Sequence, residues 1–109
     1  MIFRSPTAKR LNEKLVKGVV IHVDRFGSLR TNIKPSDVPE IFGLEPKPFK
    51  IVAGKAEITN IRNAYAEGAQ GELFGIVGST GYLEISSNRG SAAQAVGTGK
   101  GTEVGIVLS

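Results

Sequence analysis

The 109-residue chain contains no cysteine, which removes disulfide frameworks, thiolate nucleophiles and thiolate metal sites. It has a single histidine, His22. A lone imidazole without cysteine is a poor basis for zinc, so neither a metal nor a bound cofactor is expected. Long apolar runs are missing as well. The longest, such as Leu73 to Gly78, are far too short to cross a bilayer, and the first residues lack the apolar core of a signal peptide. These absences lead to the expectation of a soluble, cytoplasmic chain. Net charge is +4, yet residues 1 to 17 hold five basic side chains (Arg4, Lys9, Arg10, Lys14, Lys17) against Glu13, and the rest balances at nine against nine. The basic character therefore belongs to the leader, and the body is formally neutral.

What is present suits one small domain. The length leaves no room for a second domain of ordinary size, and 40% hydrophobic residues with a mean hydropathy of -0.02 are enough to fold without staples. Residues 1 to 16 carry Pro6, scattered charge and no sustained period, and are read as a flexible basic arm with a helix over Ala8 to Lys14 as the lesser choice. Residues 17 to 109 form the domain proper. Lys17 to Asp24 is a β-branched run, Arg25-Phe-Gly-Ser28 supplies turn chemistry, and Leu29 to Ile33 is a short second strand. Ser36 is read as the cap of barely a turn of helix before Pro39. Phe49 to Ala53 and Lys55 to Ile61 flank Gly54, as a tight hairpin or as one kinked strand. Residues 63 to 71 read as loop, and Gly78-Ser-Thr-Gly81 joins the strands Glu72 to Val77 and Tyr82 to Ser86. Ser91 caps a short helix that Gly97 stops, and Glu103 to Leu108 closes the chain. Six or seven short strands with one-turn helices predict an all-β, small antiparallel β-barrel.

Several patterns carry no chemistry. Gly97-Thr-Gly-Lys-Gly-Thr102 resembles a phosphate loop in composition, but Gly101 stands where Ser or Thr should follow Lys100 and a strand comes next. The scattered Phe and Tyr residues give no paired aromatics on a strand for stacking on RNA. A stand-alone binding or assembly module touching nucleic acid through its basic arm stays as the rival reading. Two segments matter more. Asp24 to Asn32 sets a carboxylate, a ring, a glycine and short polar groups at a strand junction, where barrel rims present ligands with side chains. The structural alternative has Asp24 satisfying turn amides and Phe26 plugging the barrel. Gly78 to Ser91 offers Ser79 and backbone amides to an anion, and an Asn88-Arg-Gly90 turn whose backbone can meet a heterocycle's edge.

Taken together, VDRFGSLRTNI and GSTGYLEISSNRGSAAQAVG, in this order and about 45 residues apart, resemble the C-terminal domain of the S-adenosylmethionine hydroxide adenosyltransferase family, which includes the fluorinase and chlorinase enzymes. The similarity runs from about Gly18 to Val107. It implies a small β-barrel that follows a larger α/β domain, and a homotrimer in which each active site lies between one chain's larger domain and a neighbour's barrel. It also implies a reaction in which water, hydroxide or halide attacks the 5′ carbon of the substrate S-adenosylmethionine. In that resemblance Asp24 receives the methionine ammonium, Ser79 and the backbone around Thr80 hold the methionine end, and Phe26 and Tyr65 lie near the adenine. The backbone near Asn88 and Arg89 meets the adenine edge. Ser28 stands where the family usually has Asn, and its single donor cannot reproduce a bidentate amide. No catalytic residue falls on this chain, because the resemblance puts the nucleophile-positioning groups in the larger domain. By itself the chain is expected to be inactive.

Overall fold

The computed structural model describes residues 8–43, 47–62, 72–87, 91–97 and 99–108. Their strands are β1 (Lys9–Asn12), β2 (Leu15–Val23), β3 (Leu29–Thr31), β4 (Phe49–Ala53), β5 (Ala56–Ile58), β6 (Leu73–Val77), β7 (Leu83–Ser87) and β8 (Glu103–Leu108). One helix, α1 (Ala92–Val96), and two single 3-10 turns, Pro35–Asp37 and Pro39–Ile41, complete the described elements. The strands run in the order β5-β4-β8-β2-β3-β7-β6 with antiparallel ladders, a nearly closed barrel-like sheet.

Closure comes from the residues just past β5. Gly75 N–H of β6 donates to Asn60 O and Arg62 N–H donates to Gly75 O, both at 2.8 Å, so the open edge of β6 is covered. Arg62 also forks onto Glu72, with Nη2 2.8 Å from Oε1 and Nε 3.3 Å from Oε2. Alternation sorts the strands: Val16 and Val20 of β2, Leu29 of β3, Ile51 of β4, Leu83 and Ile85 of β7, and Val104 and Ile106 of β8 all point into one core. The turn after β4 is the tight hairpin, with Gly54 at φ 52° and Ala53 opposite Ala56. The 3-10 turn at Pro35 is capped by Asp37, whose Oδ2 accepts Lys34 N–H at 2.9 Å, and not by Ser36. Gly18 is needed for close approach. A Cβ there would lie 2.4 Å from Asn32 Oδ1, which accepts the Val19 N–H at 2.8 Å and replaces a ladder partner where β1 ends and β3 begins along β2.

The segment read as a flexible arm contains a strand. β1 pairs with the first residues of β2, and β2 itself starts at Leu15 rather than Lys17. All four β1 residues are exposed, so it has no apolar alternation by which a sequence reading finds strands. It forms because the edge of β2 is free there and because the Arg10 guanidinium grips Glu40 on the second 3-10 turn, Nη1 to Oε1 at 3.0 Å, with Nη2 on Oε2. This hydrogen-bonded contact, helped by backbone hydrogen bonding and the Arg10 charge, holds the Glu40 carboxyl at about 2 against an ordinary 4.5. A carboxyl depressed on folding contributes stability that is complete above the ordinary value and lost as pH falls through the folded one. Amide exchange of Lys9 and Lys17, which face each other across β1 and β2, is therefore expected to keep its protection at pH 5 and lose it between about pH 4 and 2, ahead of the core strands. Unchanged protection at pH 2 would show that the ion pair does not hold the strand.

Candidate functional site

The junction of β2 and β3 is built around Asp24. Its Oδ1 accepts two backbone N–H groups, from Phe26 and Ser28, each at 2.9 Å, while Gly27 N–H donates to Asp24 O at 3.0 Å. Oδ2 carries no partner among the described residues, and the side chain is half-buried. Asp24 is thus a turn acceptor with one oxygen and presents the other. Phe26 does not plug the barrel. It is 71% exposed, with the Arg25 guanidinium 5.2 Å from its ring centroid, a stacked cation that leaves one aromatic face free.

Gly27 locks the turn to α1. Its φ of +85° is left-handed, and a Cβ there would meet Ser91 Oγ at 2.1 Å. The Gly27 carbonyl accepts Ala93 N–H at 2.9 Å, and Ser91 Oγ caps the helix by accepting Gln94 N–H at 3.2 Å. Ser28 joins the turn to β7: its Oγ accepts the Ser86 hydroxyl at 3.0 Å. The Ser28 hydroxyl keeps its own proton for a ligand, and Ser86, fully buried, is a second hydroxyl that the sequence reading passed over.

Register lays out the outer face of β2, β3 and β7. His22 stands opposite Arg30 and Arg30 opposite Glu84, so one row runs imidazole, guanidinium, carboxylate. The next row runs Asp24, Ser28, Ser86. Glu84 is buried and its Oε2 lies 3.7 Å from Arg30 Nε. The same carboxylate explains Gly78, where a Cβ would be 2.0 Å from Oε2. Arg30 and Glu84 were missed because each sits between buried, inward-facing neighbours, Leu29 and Thr31 or Leu83 and Ile85, within a recognised motif. The available signal was opposite charge at alternate positions of two short strands.

The Gly78 hairpin is at the other end of β7. Gly81 N–H donates to Gly78 O and Gly78 N–H to Tyr82 O, each at 3.0 Å, leaving Ser79 and Thr80 exposed at the tip. Ser28 pairs with the Ser86 end, so the six residues from Ser86 to Thr80, about 20 Å of extended chain, separate the Asp24 turn from this tip. The fold brings together Asp24, Phe26 and Ser28, and it does not bring Ser79 or Thr80 to them. Tyr65, Asn88 and Arg89 lie outside the described residues. Among the described residues no three His, Cys, Asp or Glu side chains gather as a metal would require, and no helix is long and apolar enough to cross a membrane.

Barrel and face together define a small β domain that presents one polar, aromatic-edged strip at a strand junction. The family model for the S-adenosylmethionine hydroxide adenosyltransferase C-terminal domain matches residues 18–105. The chain belongs to that family. Two solved structures are similar. An uncharacterized conserved protein from Thermotoga maritima has a TM-score of 0.81 at 28% identity over 98% of this chain and 41% of its own. A conserved hypothetical protein from Thermus thermophilus has a TM-score of 0.62 at 28% identity over 85% of this chain and 34% of its own. The chain thus spans about two-fifths or less of the length of these relatives. No curated protein matches it.

Proposed function

We propose that this domain is the ligand-gripping part of an enzyme that splits S-adenosylmethionine by attack of water, hydroxide or a halide at the 5′ carbon, giving methionine and adenosine or a halo-adenosine. The observation that carries the reading is the Asp24 to Ser28 turn. A carboxylate oxygen without a partner among the described residues, an exposed ring and a hydroxyl lie on alternate residues of a turn locked to α1 and β7. In this reading Asp24 receives the ammonium of the amino-acid end, while Phe26 and Ser28 flank the adenine with Tyr65 and the Asn88 to Arg89 turn. Ser79 and Thr80 reach an extended ligand, or a neighbouring chain, from the far end of β7.

The nucleophile must be held in line and stripped of bulk water, and the groups for that fall to a larger domain of a neighbouring chain in a cytoplasmic trimer. Chromatography of the chain with S-adenosylmethionine and water, chloride or fluoride is expected to show no product above the uncatalysed background. Adding the remaining part of a longer relative is expected to yield adenosine or halo-adenosine in proportion to added chain. Product from the chain alone, or none from a mixture shown to assemble, would sink the proposal.

A further inference from the structure

Phe26 is an exposed ring on a turn that cannot carry it inward. Its own N–H donates to Asp24 Oδ1 at 2.9 Å, and Gly27 beyond it is fixed at a left-handed φ against Ser91, so the backbone sets the direction of its Cα–Cβ bond. The ring is 71% exposed and belongs to no part of the core. Among the described residues its one ring contact is the Arg25 guanidinium, 5.2 Å from the centroid. Arg25 in turn is exposed, and its guanidinium has no ion-pair or hydrogen-bond partner among the described residues. Its sequence neighbour Asp24 gives one carboxylate oxygen to the turn amides. The arginine therefore has the ring as its contact, and the arginine is the group that limits how the ring turns.

This arrangement makes the two faces of the ring unequal. The face of a phenyl ring carries partial negative charge, and a guanidinium laid on it is held electrostatically. A second cation brought to the opposite face would meet a ring already polarised toward Arg25 and, across the ring, the repulsion of Arg25 itself. An uncharged flat heterocycle meets neither penalty, because its stacking comes from contact area and not from net charge. We infer that Arg25 is a positioning residue that holds the Phe26 ring for stacking and reserves its open face for an uncharged heterocycle, keeping the cationic sulfonium of the ligand off the ring. The inference rests on the S-adenosylmethionine reading above and adds the residue that decides which part of that ligand lies on the aromatic face.

The test follows the Phe26 ring signals of chain labelled at phenylalanine, assigned with Phe26→Leu, against adenosine, S-adenosylmethionine and trimethylsulfonium. In the parent chain adenosine and S-adenosylmethionine are expected to shift these signals, and trimethylsulfonium at the same concentration is not. Arg25→Ala removes the cation from an exposed position and leaves the fold in place. It is expected to weaken adenosine about threefold, the worth of an exposed cation–π contact, and to let trimethylsulfonium shift the ring. Arg25→Lys keeps the charge and is expected to exclude trimethylsulfonium again, a rescue that a merely structural side chain would not show. Trimethylsulfonium shifting the ring in the parent or in Arg25→Lys as much as in Arg25→Ala would overturn the role of Arg25 and leave the functional reading intact. Adenosine binding Arg25→Ala as tightly as the parent would do the same. No shift from adenosine or S-adenosylmethionine in the parent would overturn both.

Discussion

Gly27→Ala is expected to lower stability by about 3 kcal/mol, from roughly 1 to 2 for a side chain held left-handed and about 1 for the helix cap it displaces. The added carbon would sit 2.1 Å from Ser91 Oγ, 2.8 Å from Ser91 Cβ and 3.1 Å from Ser91 Cα, so the clash reaches the backbone and rotating one hydroxyl does not relieve it. Relief requires the turn to move away from α1, which breaks the Gly27 carbonyl contact to Ala93 N–H and misplaces Phe26 and Ser28. Gly81→Ala is the control, because Gly81 has nearly the same φ, +87°, with nothing within 4 Å of its would-be Cβ. Thermal unfolding should show Gly27→Ala falling by roughly 10 °C or more and Gly81→Ala by about half that or less. Equal losses would mean that the contact with Ser91 does not constrain the turn.

Asp24 can separate support from recognition, because Oδ1 accepts the turn amides and Oδ2 has no partner among the described residues. Asp24→Asn keeps an acceptor at Oδ1 for the Phe26 and Ser28 amides and removes the charge at Oδ2. In an enzyme reconstituted with the larger domain, S-adenosylmethionine affinity is expected to fall about tenfold to a hundredfold, the value of a charge-assisted hydrogen bond, with stability lowered by no more than about 1 kcal/mol. Asp24→Ala removes both acceptors as well and is expected to cost about 1 to 3 kcal/mol of stability. Melting temperature and affinity measured on the pair decide the matter. If Asn leaves affinity within a factor of about three, Asp24 only supports the turn and leaves the site.

How far the sequence reached follows from how local each feature is. The β-branched run into Asp24, the glycine-rich turns, the Ser91 cap and the Gly97 stop each depend on neighbouring residues, and all are legible in order along the chain. So was the family, since two long motifs in fixed order form a specific signal. The tertiary structure decided what depends on register. Ser28 and Ser86 are 58 residues apart and meet only because β3 pairs with β7 in one alignment; a slip of one residue would turn every side chain to the other face. That alignment puts Arg30 against Glu84, and it separates Asp24 from the Ser79 tip, which the family resemblance assigns to the same end of a ligand. β1 shows the same division. Lys9–Asn12 has no pattern of its own, and its strand is created by the free edge of β2 and by Glu40, 30 residues beyond its partner Arg10. Local chemistry named the turns, caps and strand runs; the pairing of distant strands chose which side chains share a face.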